Sequence, residues 1–298
     1  MGAAHDHDNR RRVLVALALT AVFTVVEAVA GLLTGSLALL ADAGHMLTDT
    51  LALALAALAF RFGSRPADTR RSYGYQRLQV LAAFANAIAL IFIVGWISIE
   101  AVLRLLTPVP VAAQGMLAVA VAGLLVNLVA FAVLHGGDRD NLNLRGAALH
   151  VLGDLLGSVA AIAAAVVILA TGWLPIDPLL SIVVAALVLR SAWALLKRSA
   201  HILLEGTPDW LDVTAMQAAL TAQVPAVASI HHVHVWGLTP QRVMLTMHVE
   251  LADGQQDAMG VVRSLKRILA DDYGIDHSTI EVEAGYCADE PAPSDPRA

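Results

Sequence analysis

The sequence predicts an α-helical membrane protein with six transmembrane helices and a small α+β domain near its C-terminal end. Three observations predict it. The 298 residues are 58% hydrophobic and only 15% charged, whereas a soluble domain averages about 45–50% apolar and about 25% charged residues. Six apolar runs each reach the roughly 20 residues needed to cross a hydrocarbon core. After residue 203 the pattern changes to short alternating segments set between amphipathic ones, as in a small soluble domain.

The six runs cover 13–33, 36–60, 78–103, 115–135, 144–171 and 175–196. The first follows Arg10, Arg11 and Arg12 and superficially resembles a signal peptide. It is longer than an h-region of roughly 7–15 residues and lacks a clear small-x-small cleavage context, so it reads as the first span. Length and scarce polar faces exclude six buried helices of a soluble protein. Basic residues cluster before run one, after run two (Arg61, Arg65, Arg70, Arg71, Arg77), between runs four and five (Arg139, Arg145) and at the end of run six (Arg190, Lys197, Arg198). The alternate loops "LTGS", "LTPVPVAAQG" and "TGWLPID" contain no Lys or Arg. The positive-inside rule therefore puts both termini in the cytoplasm. Arg104 is the basic residue on the wrong side, and with Glu100 at i−4 it reads as a local ion pair.

Beyond the spans, "TPDWLDVTAMQAALTAQ" reads as a helix opened by Thr-Pro-Asp. "SIHHVHVWGL" and "RVMLTMHVEL" read as two strands joined by "TPQ", "DAMGVVRSLKRILADDYG" as a helix ending at a glycine, and "STIEVEAG" as a third strand. The order α-β-β-α-β suggests two helices on one face of a three-stranded sheet. The chain thus divides into a tail (1–12), a transmembrane domain (13–203), a cytoplasmic domain (204–286) and a disordered tail (287–298), which carries "ADEPAPSDPRA".

Some classes are excluded. The net charge is −6 and no basic face is present, so nucleic acid is not a partner. A single cysteine, Cys287, leaves no intramolecular disulfide and no multi-cysteine metal site. No GxxxxGK loop is present to couple the chain to nucleotide hydrolysis.

The chemistry lies inside the apolar runs. "HMLTDTLA" in run two is echoed by "HVLGDLLG" in run five, with His, Leu, Asp and Leu in register. His45 and Asp49, and likewise His150 and Asp154, are four apart, so each pair shares one helix face. Two such helices packed together would converge two imidazoles and two carboxylates, a set suited to tetrahedral Zn²⁺. Two Asp⁻ also neutralise one divalent cation and spare the bilayer a net charge. The plainer alternative is a hydrogen bond within each helix. Asp42, three residues before His45, either guides ions or caps a polar contact. Glu27 and Asn86 either line a water-filled cavity or bond between helices; Asn127 and Asp177 are further polar residues in or beside the runs.

On these residues the chain resembles the cation diffusion facilitators. "SLALLADAGHMLTD", "RSYGYQRLQVLAAFANAI", "ALHVLGDLLGSV", "DPLLSIVVAALVL" and "HHVHVWGLT" look like the zinc-transporting subgroup, and the likeness covers residues from about 12 to 285. The resemblance implies a homodimeric Zn²⁺/H⁺ antiporter of the bacterial inner membrane, joined through its transmembrane and cytoplasmic domains. It implies a metallochaperone-like cytoplasmic domain and transport ligands at His45, Asp49, His150 and Asp154. It implies a regulatory Zn²⁺ site in the cytoplasmic domain at His231, His248, His277 and Glu283, which Cys287 could join. A further loop site of some family members is not expected, because "PADTRRSYGYQR" has Asp68 and no histidine. The family also implies a basic residue at Arg77 paired with Glu205 or Asp209. On strand alternation, His232 and His234 share one face while His231 takes the other.

Proton exchange suits such ligands. Zn²⁺ competes with protons for imidazoles, whose ordinary pKa is about 6.5. Moving two charges outward against an inside-negative potential costs about 4.6 kcal/mol per 100 mV, of which one returning proton recovers about 2.3. Each unit of pH gradient adds about 1.4 kcal/mol. Two other classes compete. An intramembrane zinc metalloenzyme would need an HExxH helix and an open ligand position, which this sequence lacks. A membrane-anchored metal sensor would need an output module beyond the small C-terminal domain. The sequence is therefore read as a non-enzymatic secondary transporter.

Overall fold

In the computed structural model the described residues are 2–44, 46–47, 68–135, 142–254, 257–283, 287 and 289. Helix α1 spans Gly2–Thr34, and α2 is helical over 37–44 and 46–47. They are followed by α3 (Leu78–Leu106), α4 (Ala113–His135), α5 (Leu142–Thr171) and α6 (Ile176–Leu203). Helix α1 begins before the first apolar run, since no proline or glycine breaks the chain between Ala3 and Ala30. Among the described residues α3, α4 and α6 are long and apolar enough to cross a membrane, and α1 and α5 contribute the apolar stretches Ala18–Thr34 and Gly157–Thr171.

The chain splits into two compact units, one of residues 1–58 and 82–196, the other of 59–81 and 197–298. Within the first, interior and exterior are sorted by size. Ala38, Ala120, Ala161, Ala164 and Ala165 pack around Leu39 and Met116, while Leu33, Phe92, Leu106 and Leu187 point outward. Lipid tails are as apolar as leucine, so close packing of small residues rather than burial of large ones joins such helices. Gly31 lies so close to Leu40, and Gly123 to Phe23, that a β-carbon at either would force a shift.

The start of α2 is fixed by polar groups. Gly35 takes a left-handed conformation with φ 72°, which reverses the chain without a β-carbon clash. Asp177 of α6, fully buried, then accepts hydrogen bonds from Ser36 Oγ (2.6 Å), Leu37 N (2.9 Å) and Ala38 N (3.2 Å). A carboxylate on the free N–H groups of a helix start both satisfies them and complements the helix dipole. Arg104 bonds Glu100 at 2.9 Å, as the spacing predicted, and also donates to the Gly35 carbonyl.

In the second unit α7 (Val213–Gln223), β1 (Val227–Thr239), β2 (Arg242–Leu251), α8 (Ala258–Tyr273) and β3 (His277–Glu283) follow the expected α-β-β-α-β order. The fold class read from the sequence is the one observed: a helical membrane domain plus a small α+β domain. Strand β2 is central, antiparallel to β1 and parallel to β3. Helix α7 begins later than expected because Asp212, not Thr207, is its N-cap and accepts from Ala215 N at 3.0 Å. Asp257 caps α8, and Gly274 ends it in the left-handed region. Leu245, Met247 and Val249 of β2 pack with Met216 and Leu220 of α7 and Val261, Leu265 and Leu269 of α8. The alternate β2 residues Thr246, His248 and Glu250 therefore project from the other face.

Candidate metal sites

The membrane ligands come first. His45 and Asp49, and the side chain of His150, lie outside the described residues. Asp154 is described: it sits on α5, 2% exposed. One turn further along α5, Gly157 receives the carboxylate of Asp42 from α2, and a β-carbon at Gly157 would collide with Asp42 Oδ1. Glu27 of α1, 1% exposed, faces Asp42, and both stand close enough to Asp154 to feel its charge. Three carboxyl groups from three helices thus meet in the interior of the first unit. Sequence periodicity gave each a helix face but could not say that the faces met.

The second cluster lies on the open face of the sheet. His231 of β1 pairs with His248 of β2, and Glu283 ends β3. Glu283, 5% exposed, places Oε1 2.8 Å from His248 Nδ1 and Oε2 2.8 Å from His231 Nε2. The first contact is a hydrogen bond. Glu283 thus bridges the two imidazoles, one carboxylate oxygen to each. Cys287 Sγ lies 3.6 Å from His248 Nδ1, so a residue assigned to a disordered tail belongs to this cluster. One ligand atom from each of His231, His248, Glu283 and Cys287 falls within 4.8 Å of the others. Four ligands about 2.0–2.3 Å from one Zn²⁺ would be about 3.3–3.8 Å apart, a small contraction from this arrangement.

Two expectations need correction here. His277 stands at the opposite end of β3 from Glu283, roughly 20 Å away at the rise of a strand. It meets Tyr73 edge-on, with ring centroids 6.2 Å apart, and takes no part in the cluster. His231 and His232 do not point to opposite faces. The β1–β2 register shifts between His231 and His234, and His232 adopts φ 50°. This bulge turns His232 onto His248, stacked at 5.0 Å, beside His231 at 5.6 Å from the same ring. A non-glycine residue at positive φ carries strain of about 1–3 kcal/mol, which tends to collect at ligand sites.

In the same unit Arg77 Nη2 contacts Glu205 Oε1 at 2.9 Å, the first of the two acids expected. Asp68 accepts from the backbone N–H groups of Arg70 and Arg71, so its carboxylate closes a turn.

Sequence comparison decides the family. The model of the cation efflux transmembrane domain matches residues 13–204, and that of the cation efflux protein cytoplasmic domain matches 208–285. The chain belongs to the cation efflux family, the cation diffusion facilitators. It is 52% identical over 293 residues to "Zinc transporter ZitB" of Pectobacterium atrosepticum, covering 96% of this chain and 91% of that protein. It is 49% identical over 296 residues to the Escherichia coli protein of the same name, with 96% and 94% covered. A "Cadmium, cobalt and zinc/H(+)-K(+) antiporter" of Bacillus velezensis is 41% identical over 290 residues, with 95% and 92% covered. This cation efflux protein is accordingly a membrane transporter and not an enzyme.

Proposed function

We propose that the chain exports Zn²⁺ from the cytoplasm in exchange for protons by alternating access, using His45, Asp49, His150 and Asp154 as a tetrahedral site between α2 and α5. The observation that carries this reading is the α2–α5 seam, where Asp42 lies against Gly157 with buried Asp154 one turn away. Helices two and five run in opposite directions in the topology given by the basic loops. Counting three residues along each from the Asp42–Gly157 contact pairs position 45 with 154, and counting seven pairs 49 with 150. Histidine then opposes aspartate at both levels, which suits one tetrahedral ion with no net charge. The names of the relatives, zinc transporters and an antiporter, support the substrate and the exchange.

The protein sits in the inner membrane as a homodimer with both termini cytoplasmic. Its transmembrane domain ends near residue 203 and its cytoplasmic domain spans 204–286. In that domain His231, His248, Glu283 and Cys287 hold a regulatory Zn²⁺. The set is two nitrogens, one carboxylate and one thiolate, all zinc ligands, and one ligand atom of each lies within 4.8 Å of the others.

Zinc flux in proteoliposomes under an imposed pH gradient tests the proposal. An inward proton gradient should accelerate zinc movement, and Asp49→Ala or His150→Ala should abolish it in protein that remains an inserted dimer. Wild-type flux in either variant overturns the ligand set, and flux indifferent to the gradient overturns the exchange.

A further inference from the structure

We propose that Glu27 and Asp42 form a second divalent-cation subsite, built of carboxylate oxygens, on the outward side of the transport ligands. It rests on the export reading above. In that topology Glu27 lies in the outer half of α1. Asp42 precedes His45 by three residues, about 4.5 Å of helix rise toward the outer surface.

The geometry points to a pair of carboxyls suited to a cation. Glu27 is 1% exposed and Asp42 3% exposed. Both oxygens of Glu27 and Oδ2 of Asp42 are buried and receive no hydrogen bond from any other described residue; the two carboxyls meet only each other. Buried polar groups are almost always paired, and a charge in apolar surroundings without a partner is among the costliest arrangements in a protein. Carboxylates only accept, so two of them turned toward each other cannot satisfy one another while both are ionised. No basic side chain forms an ion pair with either among the described residues. The contrast with Asp177 is direct: that carboxylate, equally buried, has three donors.

The fold also makes room for the pair. Asp42 reaches this position only because Gly157 has no side chain, and a β-carbon there would occupy the space of the carboxylate. The third carboxyl, Asp154, stands near both. On the export reading, a cation leaving outward past Asp154 meets two further carboxylates. Oxygen ligands alone hold borderline-soft Zn²⁺ less tightly than a set containing imidazole. A weaker second site is what release requires, since a permeating ion must be bound well enough to enter and loosely enough to leave.

The test is Zn²⁺ titration of the full-length chain, in a background of His150→Ala, His231→Ala and His248→Ala that weakens the other sites. A residual site of lower affinity is expected, weakened about tenfold or more by Glu27→Gln and by Asp42→Asn, as loss of a metal-supporting group does elsewhere. Glu27→Asp, which keeps the carboxylate, should retain it and serves as the folding control. In otherwise wild-type protein Glu27→Gln should leave high-affinity zinc binding intact while turnover falls about tenfold. No residual site, a residual site indifferent to both substitutions, or loss of the high-affinity site in Glu27→Gln overturns the proposal. Full affinity persisting in the His150→Ala background would instead overturn the transport-site assignment.

Discussion

Replacing Glu283 with glutamine separates a metal site from an ordinary buried network. The substitution keeps volume and shape but removes the charge that two imidazoles share at 2.8 Å each. Without metal, the loss is the charge-assisted bond to His248, about 1.5–3 kcal/mol for a group this buried. With metal, an amide oxygen replaces a carboxylate ligand, and affinity should fall about 10–100-fold. At a zinc concentration about 100 times the wild-type Kd, bound metal stabilises the fold by about 2.7 kcal/mol. A 10–100-fold weaker variant would keep only about 1.4 to 0.4 kcal/mol of that. Hydrogen exchange of the β1 and β3 amides in the full chain, with zinc or with chelator, reads these numbers locally and apart from the membrane site. Zinc should slow exchange about 100-fold in the wild type and by about tenfold or less in the variant. Equal zinc protection in the two proteins would refute the cluster as a metal site.

Three further outcomes are expected. Zinc affinity at the membrane site, measured with the cytoplasmic ligands removed, should fall steeply from about pH 7.5 to about pH 5.5, because imidazoles must be deprotonated to bind; a flat profile removes histidine from the coupling. Arg77 and Glu205 are 35% and 61% exposed, so their pair contributes under about 1 kcal/mol to stability. Arg77→Glu should nonetheless lower flux, and adding Glu205→Arg should restore part of it; no recovery in the double variant makes the pairing functionally irrelevant. Gly157→Ala should push Asp42 from its place at an overpacking cost of about 1–3 kcal/mol and reduce flux. Gly95→Ala in α3, where a β-carbon meets nothing within 4 Å, should be neutral, and equal effects of the two would refute the close approach.

The parts of this fold that were legible in the sequence are those set by a single local period. Leu245, Met247 and Val249 alternate with Thr246, His248 and Glu250, which fixes β2 and its faces from the chain alone. Asp257 and Gly274 bracket α8 because capping depends on the cap residue's own side chain or backbone freedom. Local reading failed where one residue broke the period. A bulge at His232 cancels the alternation that separated His231 from its neighbour, and no turn residue marks it. Thr-Pro-Asp at 207–209 reads as a helix start, but it is Asp212 that accepts from Ala215 N and caps α7. The family resemblance includes His277 in the metal set, whereas strand length separates it from Glu283.

The polar residues of the apolar runs pose a different problem, since sequence marks each as expensive but not what offsets the cost. The structure sorts them by their donors. Glu100 has Arg104 and Asp177 has the start of α2, so these two are architecture, holding the α1–α2 turn and the first turn of the second helix. Glu27 and Asp42 are as deeply buried as Asp177 yet meet only each other, and they face the helix that carries Asp154. A membrane chain keeps such groups at a cost unless something positive visits them. That difference in satisfied oxygens, rather than burial or residue type, distinguishes acids that hold the helices together from acids placed to meet an ion.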